Sequence, residues 1–349
     1  MLQQWFSSRF LKGWLLASTA LLFWAVLPIA LKVCLEVADT VTITWFRFLF
    51  ALVVVVGVQF YRGKLREFRK LNTKQWLMMT AAGTFLIGNY LMYLKGLAYV
   101  SAGPAQLFFQ VAPLFLAIGG VLFFKETLNL LQIVCFPILF AGMLVFFLLG
   151  SNVSFAEASL QATSSGHEGS FWLGLILIMS SALSWTFYAL VQKKLVKDLS
   201  SVNILVFIYA LACVALFPSS APTTLNNLST KEWLVLIFCA INTLVAYGSF
   251  AESLKYWSAI TTAAYFSLIP PTTFIMTGIA FQIWPDHVNY HPTNLVGVVG
   301  IVIVLIAALG IQCGGFLMDW RQQRTAKPGE VPTKKNADVT SPVGDTAEI

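Results

Sequence analysis

Charged side chains are scarce in this chain of 349 residues: only 11% of them are Asp, Glu, Lys or Arg, whereas 58% are apolar. A typical soluble domain is about 25% charged, so this composition excludes an ordinary soluble protein and indicates one that lies in a lipid bilayer. Histidine and cysteine are also rare, with 3 and 5 copies. No cysteine shows the spacing of a metal site or of a disulfide framework, and we predict no metal and no cofactor.

Motifs of catalysis and of ATP binding are missing as well. The chain contains no HExxH, no GxSxG and no GxxxxGKS/T, the signatures of metalloproteases, serine hydrolases and P-loop ATPases. The middle of every apolar run lacks Asp and Glu, which argues against a proton relay through buried carboxylates. The net charge of +7 is distributed at the ends of the runs, so it indicates topology and not nucleic-acid binding. We therefore predict neither an enzyme nor an ATP-driven pump.

Long apolar runs are what the sequence has instead. A helix needs about 20 apolar residues to cross about 30 Å of hydrocarbon. Ten such runs follow one another: residues 13–33, 41–60, 75–96, 101–123, 130–150, 171–192, 203–217, 231–254, 259–281 and 294–316. The sequence thus predicts an all-α integral membrane protein with ten transmembrane helices. Residues 1–12 are predicted to be a cytoplasmic N-terminus, residues 151–170 an outside linker, and residues 317–349 a disordered cytoplasmic tail.

One passage of the sequence occurs twice. LAYVSAGPAQLFFQVAP, residues 97–113, returns as LKYWSAITTAAYFSLIP, residues 254–270, at an offset of 157. The identical positions are Leu97/Leu254, Tyr99/Tyr256, Ser101/Ser258, Ala102/Ala259, Phe109/Phe266 and Pro113/Pro270, with Trp76/Trp233 and Tyr90/Tyr247 at the same offset. At an offset of 161, the matches are Gly13/Gly174, Trp24/Trp185, Lys32/Lys193 and Phe46/Phe207. The chain is thus predicted to consist of two five-helix repeats, residues 13–150 and 171–316.

Basic residues predict how the two repeats lie in the membrane. Because five is odd, the second repeat should enter the membrane in the opposite orientation to the first, as in many secondary transporters. The loop between the second and third runs holds six Lys or Arg from Arg62 to Lys74, whereas the equivalent loop between the seventh and eighth runs holds Lys231 alone. Since cytoplasmic loops are rich in Lys and Arg, the two loops should face opposite sides. Both termini are then cytoplasmic, and the predicted location is the plasma (inner) membrane.

Several stretches resemble a known family. LLFWAVLPIALKV (21–33), WFRFLFAL (45–52), GLAYVSAGPAQLFFQVAPLFLAIGGVLFFKETL (96–128) and SLKYWSAITTAAYFSLIP (253–270) are similar to the EamA repeat of the drug/metabolite transporter superfamily. The resemblance implies a ten-helix bundle in which helices 1 to 4 and 6 to 9 surround a central pathway, with helices 5 and 10 at the periphery. It also implies export or exchange of small metabolites. The second repeat departs from the pattern in one respect. Glu126, the acidic residue that ends helix 4 in the first repeat, has no acidic counterpart in the second.

Polar and aromatic side chains inside the runs are the candidate substrate-binding residues. An unpaired amide in hydrocarbon costs roughly 2–7 kcal/mol, depending on the reference state, so these groups should point inward, to a substrate or to a neighbouring helix. Trp24 and Trp185, at equivalent positions, are either paired aromatic walls of a cavity or packing residues. The candidates are Trp24, Asn89, Tyr90, Tyr93, Gln106, Gln110, Trp185, Tyr188, Asn242, Tyr247 and Tyr265.

Arg47, a cation inside the second run, is a candidate for an electrostatic or structural role. Arg47 would cost about 2.5–3.5 kcal/mol to place at a helix centre. It either attracts an anionic group, such as an amino-acid carboxylate, or forms a structural pair with Glu36 or Asp39 near the same surface. We favour the structural pair.

Two carboxylates, Glu126 and Glu252, approach the cytoplasmic ends of their runs and are also electrostatic or structural candidates. Glu252 can pair with Lys255 at i, i+3. One further feature has two interpretations: Gly310 and Gly314 form a GxxxG face that supports either a homodimer or internal close packing.

The predicted function is that of a secondary transporter, an exporter, facilitator or exchanger of a small organic metabolite, working by alternating access between the inverted repeats. Its partners are then a small-molecule substrate and the lipid bilayer. A membrane scaffold or sensor that keeps the same bundle without transport is the alternative. His287 and His291 are spaced for a metal, but Pro285 and Pro292 bracket them, which favours a plain outside loop.

Overall fold

The computed structural model describes residues 8–100, 102–150, 170–284 and 294–325, a part of the chain that is helical almost throughout and has no strand. The α-helices are α1 (Ser8–Leu35), α2 (Thr40–Tyr61), α3 (Thr73–Tyr99), α4 (Ala102–Phe109), α5 (Val111–Phe124), α6 (Leu130–Leu144), α7 (Ser170–Leu195), α8 (Ser201–Leu216), α9 (Thr230–Ser253), α10 (Ala259–Phe266), α11 (Ile269–Ile283) and α12 (Leu295–Thr325). A π-helical turn, Val145–Leu149, continues α6, and 3-10 turns cover Lys64–Lys70, Phe217–Ser219 and Pro222–Asn227. The all-α prediction is confirmed.

Seven of the described helical spans are long and apolar enough to cross a membrane. They are α1, α2, α3, α7, α8, α9 and the joined pair α10 and α11. Three shorter apolar helices, Val111–Phe124, Leu130–Leu144 and Leu295–Ile311, lie at the fourth, fifth and tenth predicted runs. The chain is therefore a multi-pass membrane protein, and ten transmembrane helices stay a prediction.

Capping side chains fix the starts of α3 and α9 in the same way. Asn72 accepts the backbone N–H of Gln75, whose side chain accepts the N–H of Asn72 in return. Ser229 and Glu232 form the same capping box before α9, at positions 157 residues later in the chain. Such caps satisfy N–H groups that the first helical turn leaves free, and each contributes about 1 kcal/mol. The repeat in the sequence thus extends to local structure.

Helices from different halves pack together to make the core. α3 packs along α7, and α1 packs along α9. Replacing each helix by its equivalent in the other half turns one of these pairs into the other. Ala17, Ala20 and Ala25 of α1 are fully buried, and such small side chains allow close approach of helices that lipid alone does not drive together. The helices α6 and α12 pack along each other as a separate pair.

Two helices are interrupted at equivalent positions. The fourth predicted run is divided into α4 and α5 at Gln110, and the ninth into α10 and α11 at Ser267 and Leu268. Pro113 and Pro270 each lie three residues after the break. A proline has no N–H to donate and its ring crowds the preceding turn, which is why the helical hydrogen bonds fail just before it. In transporters, discontinuous helices of this kind are typical of the substrate pathway.

The GxxxG face of α12 packs inside the chain. A Cβ on Gly310 would lie 2.5 Å from Cys135 Sγ, and one on Gly314 would lie 2.8 Å from Asn129 Oδ1. Both neighbours belong to α6 or its cap, so internal close packing is the correct interpretation of this motif. A homodimer stays a prediction, but this face is not available to it.

The last helix continues past residue 316, where the tenth predicted run ends. The helix α12 extends to Thr325, so residues 317–325 are helical. The reason is that no Gly or Pro follows in the sequence until Pro328, and the residues in between are mostly good helix formers. Residues 151–169 of the predicted linker, the rest of the tail, His287 and His291 lie outside the described residues.

Candidate functional site

A cavity of about 730 Å³, its open mouth included, lies between the two halves. Eight of the eleven candidate substrate-binding residues line it: Trp24, Asn89, Tyr90, Tyr93, Gln106, Gln110, Trp185 and Tyr247. Arg47 lines it as well and is the charged residue of the lining. The structure thus gathers most of the predicted residues in one place, while their contact with a substrate stays a prediction.

Three identical pairs of residues from the two halves line the cavity: Trp24/Trp185, Tyr90/Tyr247 and Phe109/Phe266. Their ring contacts repeat across the halves, because Trp24 packs on Phe266 with centroids 5.2 Å apart and Trp185 packs on Phe109 at 6.3 Å. The two tryptophans also meet each other edge to face at 5.9 Å. Both interpretations of the tryptophans therefore apply, since they pack between helices and form walls of the cavity.

The apolar part of the lining was not predicted. It includes Phe109, Pro113 and Phe266, together with leucines of α1 and α3. A signal for these three was present, because each is identical to its equivalent in the other repeat. Aliphatic lining residues carry no such signal, since leucine is common on every face of a membrane helix.

Three candidate residues do not line the cavity. Asn242 Nδ2 donates to a backbone carbonyl of α1, and the hydroxyls of Tyr265 and Ser18 are hydrogen-bonded at 2.6 Å. The ring of Tyr188 packs on that of Tyr247 at 5.9 Å. Asn242 and Tyr265 thus bond to α1, whereas the Tyr188 hydroxyl is buried without a hydrogen-bond partner among the described residues. Contact of these three residues with a substrate stays a prediction.

Hydrogen bonds divide the amides of the cavity into two kinds. Asn89 Nδ2 donates to Ser181 O at 3.1 Å, and Asn89 Oδ1 accepts from the Tyr247 hydroxyl at 3.3 Å. Gln110 is buried at 3% exposure, and its Oε1 has no hydrogen-bond partner among the described residues. Asn89 therefore holds α3 against its neighbours, whereas the Gln110 carbonyl makes no such contact among the described residues, and its binding to a ligand stays a prediction.

Matched leucine variants should separate these two roles. Gln110→Leu is expected to leave the melting temperature unchanged or to raise it, because a buried carbonyl without a partner costs about 1–3 kcal/mol. Asn89→Leu is expected to lower stability by about 1–3 kcal/mol, since Ser181 O and the Tyr247 hydroxyl lose their partner. Thermal unfolding of the purified variants in one detergent measures both. Equal losses of stability would contradict this division.

The favoured pairing of Arg47 with Glu36 or Asp39 is wrong. Arg47 Nε donates instead to Cys239 O at 3.2 Å and to Thr243 Oγ1 at 3.0 Å, both in α9. Asp39 is the N-cap of α2, where its carboxylate accepts two backbone N–H groups. The Asp39 carboxylate is therefore engaged in capping α2 and does not pair with the Arg47 guanidinium.

An ion pair joins the two halves near one end of the bundle. Lys193 Nζ, near the end of α7, lies 2.8 Å from Glu126 Oε1, just past α5, and both side chains are mostly buried. Glu126 also accepts the N–H groups of Ala259 and Ile260 at 3.0 and 3.2 Å, at the start of α10. Lys193 Nζ donates to Trp257 O at 3.3 Å. We call Glu126, Lys193 and the first turn of α10 the ionic clamp, because together they join three helices across the two halves.

Sequence reasoning anticipated one of the two carboxylate pairs. Glu252 lies 2.8 Å from Lys255, as predicted from their spacing, and both side chains are about one third exposed. The pair of Glu126 with Lys193 was missed, although Lys193 directly follows the run 171–192, which ends on the cytoplasmic side in the predicted topology. That depth, which Glu126 shares, was the available signal.

Comparison with known proteins finds transporters. A model of the EamA-like transporter family matches residues 11–148 and 172–312. The uncharacterized inner membrane transporter YhbE of Escherichia coli (strain K12) is 32% identical over 298 residues, which cover 85% of this chain and 90% of that protein. An uncharacterized transporter of Haemophilus influenzae (strain Rd) is 30% identical over 300 residues, which cover 86% of this chain and 94% of that protein.

A solved crystal structure of a protein has the same fold. The two superpose with a TM-score of 0.62 at 16% sequence identity, over 89% of this chain and 98% of that one. This likeness concerns the architecture alone, because so low an identity carries no information on substrate.

Proposed function

Because the chain belongs to the EamA-like transporter family, we propose that it is a secondary transporter that moves a small organic metabolite by alternating access between two inverted five-helix halves. The observation that carries the proposal is the cavity between the halves, lined by the identical pairs Trp24/Trp185, Tyr90/Tyr247 and Phe109/Phe266. A site built from matching surfaces can be offered to either side of the membrane by rocking one half against the other.

Several features support the inverted arrangement. The pair α3 and α7 becomes the pair α9 and α1 when the halves are exchanged. The breaks at Gln110 and Ser267, and the capping boxes before α3 and α9, also recur at equivalent positions. The basic loop that contains Lys64–Lys70 has an equivalent, Pro222–Asn227, without basic residues, which supports opposite sides for the two.

The ionic clamp supports a cycle with a closed and an open state at one end. The cavity lining extends from the middle of the bundle toward the end where α1 and α3 finish, as Leu31 and Leu94 indicate. The clamp lies at the other end, where α5 and α7 finish. With both termini in the cytoplasm of a plasma (inner) membrane, this arrangement is closed to the cytoplasm, and opening the clamp would admit solute from that side.

A carrier that exchanges or equilibrates solute fits the lining better than a proton-coupled one. No Asp or Glu lines the cavity among the described residues, so its wall lacks the carboxylates that commonly relay protons. The amides, tyrosines and aromatic rings offer hydrogen bonds and flat apolar contact. They suit a small, partly polar organic molecule.

The test is to identify the metabolite and then to follow its flux. Extracellular metabolites are compared between cells that lack and cells that overproduce the protein, and the compound that changes most is tested by counterflow in proteoliposomes. We expect counterflow in loaded vesicles and no accumulation driven by an imposed pH gradient. Binding without counterflow would favour the scaffold or sensor, and chemical conversion of the compound would indicate an enzyme.

A further inference from the structure

The cavity wall contains a buried positive charge that no carboxylate of the described chain neutralises. Arg47 is 2% exposed, and the described ion pairs are those of Lys193 with Glu126 and of Lys255 with Glu252. Removing an ion from water is expensive unless an opposite charge compensates it. The ordinary solution, a protein carboxylate, is absent at this position.

The guanidinium is held by one edge only. Its Nε donates to Cys239 O and Thr243 Oγ1, and the group lies over the Tyr90 ring, 4.5 Å from the centroid. Thr243 Oγ1 also accepts from the Tyr90 hydroxyl at 3.3 Å and donates to Cys239 O at 3.1 Å. These contacts use Nε and the face of the guanidinium, and they fix the position of Arg47. Nη2 has no hydrogen-bond partner in the described part of the chain.

Neither the repeat nor the fold requires a charge here. At the offset of 161 that relates Phe46 to Phe207, the residue equivalent to Arg47 is Ile208. Ile208 is fully buried in the core. One half of the protein thus fills this position with an aliphatic side chain, which makes a purely structural need for the cation an insufficient explanation.

We propose that Arg47 is an anion subsite at one end of the cavity, and that the transported metabolite is a monoanionic carboxylate with a flat apolar body. The free Nη2 of the guanidinium can donate a charge-assisted hydrogen bond to a carboxylate oxygen, and a guanidinium is the side chain best shaped for a carboxylate. The rest of the polar lining, Asn89, Tyr93, Gln106 and Gln110, is uncharged, so it neither repels an anion nor supplies the second cation that a dianionic phosphoryl group would need. The apolar body packs on the rings around Trp24. This inference rests on the proposed transport function and adds the substrate class.

Paired probes test the charge directly. Ligand-induced thermal shifts of the purified full-length protein compare phenylacetate, benzoate and indole-3-acetate with their neutral primary amides. Phenyl phosphate is included as a dianion. We expect the carboxylates to bind at least 10-fold more tightly than their amides. Arg47→Gln should abolish this preference, and Arg47→Lys should reduce it. Lys95→Gln removes an exposed cation of α3 that does not line the cavity, and it should leave the preference unchanged.

Each other result overturns the proposal. Equal binding of carboxylates and amides by the unmodified protein, a carboxylate preference that survives in Arg47→Gln, or tighter binding of phenyl phosphate would each exclude a monocarboxylate subsite. Arg47→Lys keeps the test decisive if Arg47→Gln fails to fold. Counterflow separates this inference from the transport function: flux of neutral amides without a carboxylate preference would overturn the subsite alone, whereas Arg47-dependent carboxylate binding without flux would overturn transport alone.

Discussion

Replacing Glu126 by glutamine is expected to lower the free energy of unfolding by about 3–5 kcal/mol, the usual cost of removing one partner of a buried ion pair. Lys193 is 8% exposed and would have no carboxylate beside it, so its amine would be buried either as an uncompensated charge or without its proton. The amide oxygen can still accept one of the two N–H groups at the start of α10, but the N–H groups of Ala259 and Ile260 no longer share a carboxylate. Chemical or thermal unfolding in mild detergent measures the loss.

A second variant tells the ion pair from simple packing. In Glu126→Gln with Lys193→Met, both charges are gone and the aliphatic part of the side chain at position 193 is kept. Replacing both partners of a buried pair by neutral groups is often nearly neutral for stability, so most of the loss should be recovered. The clamp would then lack its electrostatic hold, and in counterflow the closed state at this end should be less favoured.

Glu252→Gln is the matched control. Its pair with Lys255 has the same 2.8 Å separation, but both side chains are about one third exposed. Exposed pairs contribute about 0–1 kcal/mol, so this variant should unfold within about 1 kcal/mol of the parent. If Glu126→Gln cost no more than Glu252→Gln, the clamp would be an ordinary surface contact, and its role in closing the bundle would be refuted.

The helices were predictable from the sequence because lipid imposes one rule on every span: about 20 apolar residues whose backbone groups bond within the segment. The interruptions at Gln110 and Ser267 were not predicted, because the apolar character of the sequence continues through them. Pro113 and Pro270 were visible, but a proline is compatible with a kink as well as with a break. The end of α12 was missed for a related reason, since loss of hydropathy ends a membrane span without ending a helix.

The candidate site was predictable only at the level of which residues avoid lipid. An amide such as that of Asn89 or Gln110 must point away from lipid, and the sequence predicts this for both residues. Which one finds a partner depends on the helix opposite, and Ser181 O happens to lie within reach of Asn89. Arg47 shows the same limit, because Asp39 was near in sequence yet bound to the first turn of its own helix. The hydrogen-bond partner of each polar side chain is therefore set by how the helices pack, which the sequence alone does not give.

The two halves agree in their aromatic residues and differ in their charges. Lys32 is the equivalent of Lys193, but the residue equivalent to Glu126 at the offset of 157 is Ile283. The ionic clamp therefore cannot be mirrored at the other end of the bundle. In an alternating-access cycle, that other end must close through different contacts, and the uncompensated Arg47 lies on its side of the cavity.

Trp24→Ala is expected to have the second large effect, on both stability and flux. The indole of Trp24 lies 5.2 to 5.9 Å, between centroids, from the rings of Trp185, Tyr247, Phe250 and Phe266. Removing a fully buried aromatic side chain costs about 3–5 kcal/mol, and because Trp24 is only partly buried we expect a loss of about 2–3 kcal/mol, at or below the lower end of that range. Trp172 is 64% exposed, so Trp172→Ala serves as the control and should change stability by less than about 1 kcal/mol.

Flux decides whether Trp24 is more than a packing residue. At a temperature where Trp24→Ala is still folded, counterflow of the identified metabolite should fall at least 10-fold, since the flat surface against which the solute lies is gone, a loss of roughly 1.4 kcal/mol or more in binding. Trp24→Phe keeps an aromatic face and should retain part of the flux. A folded Trp24→Ala protein that transports at the parental rate would show that the cluster holds the helices together and that the solute binds elsewhere.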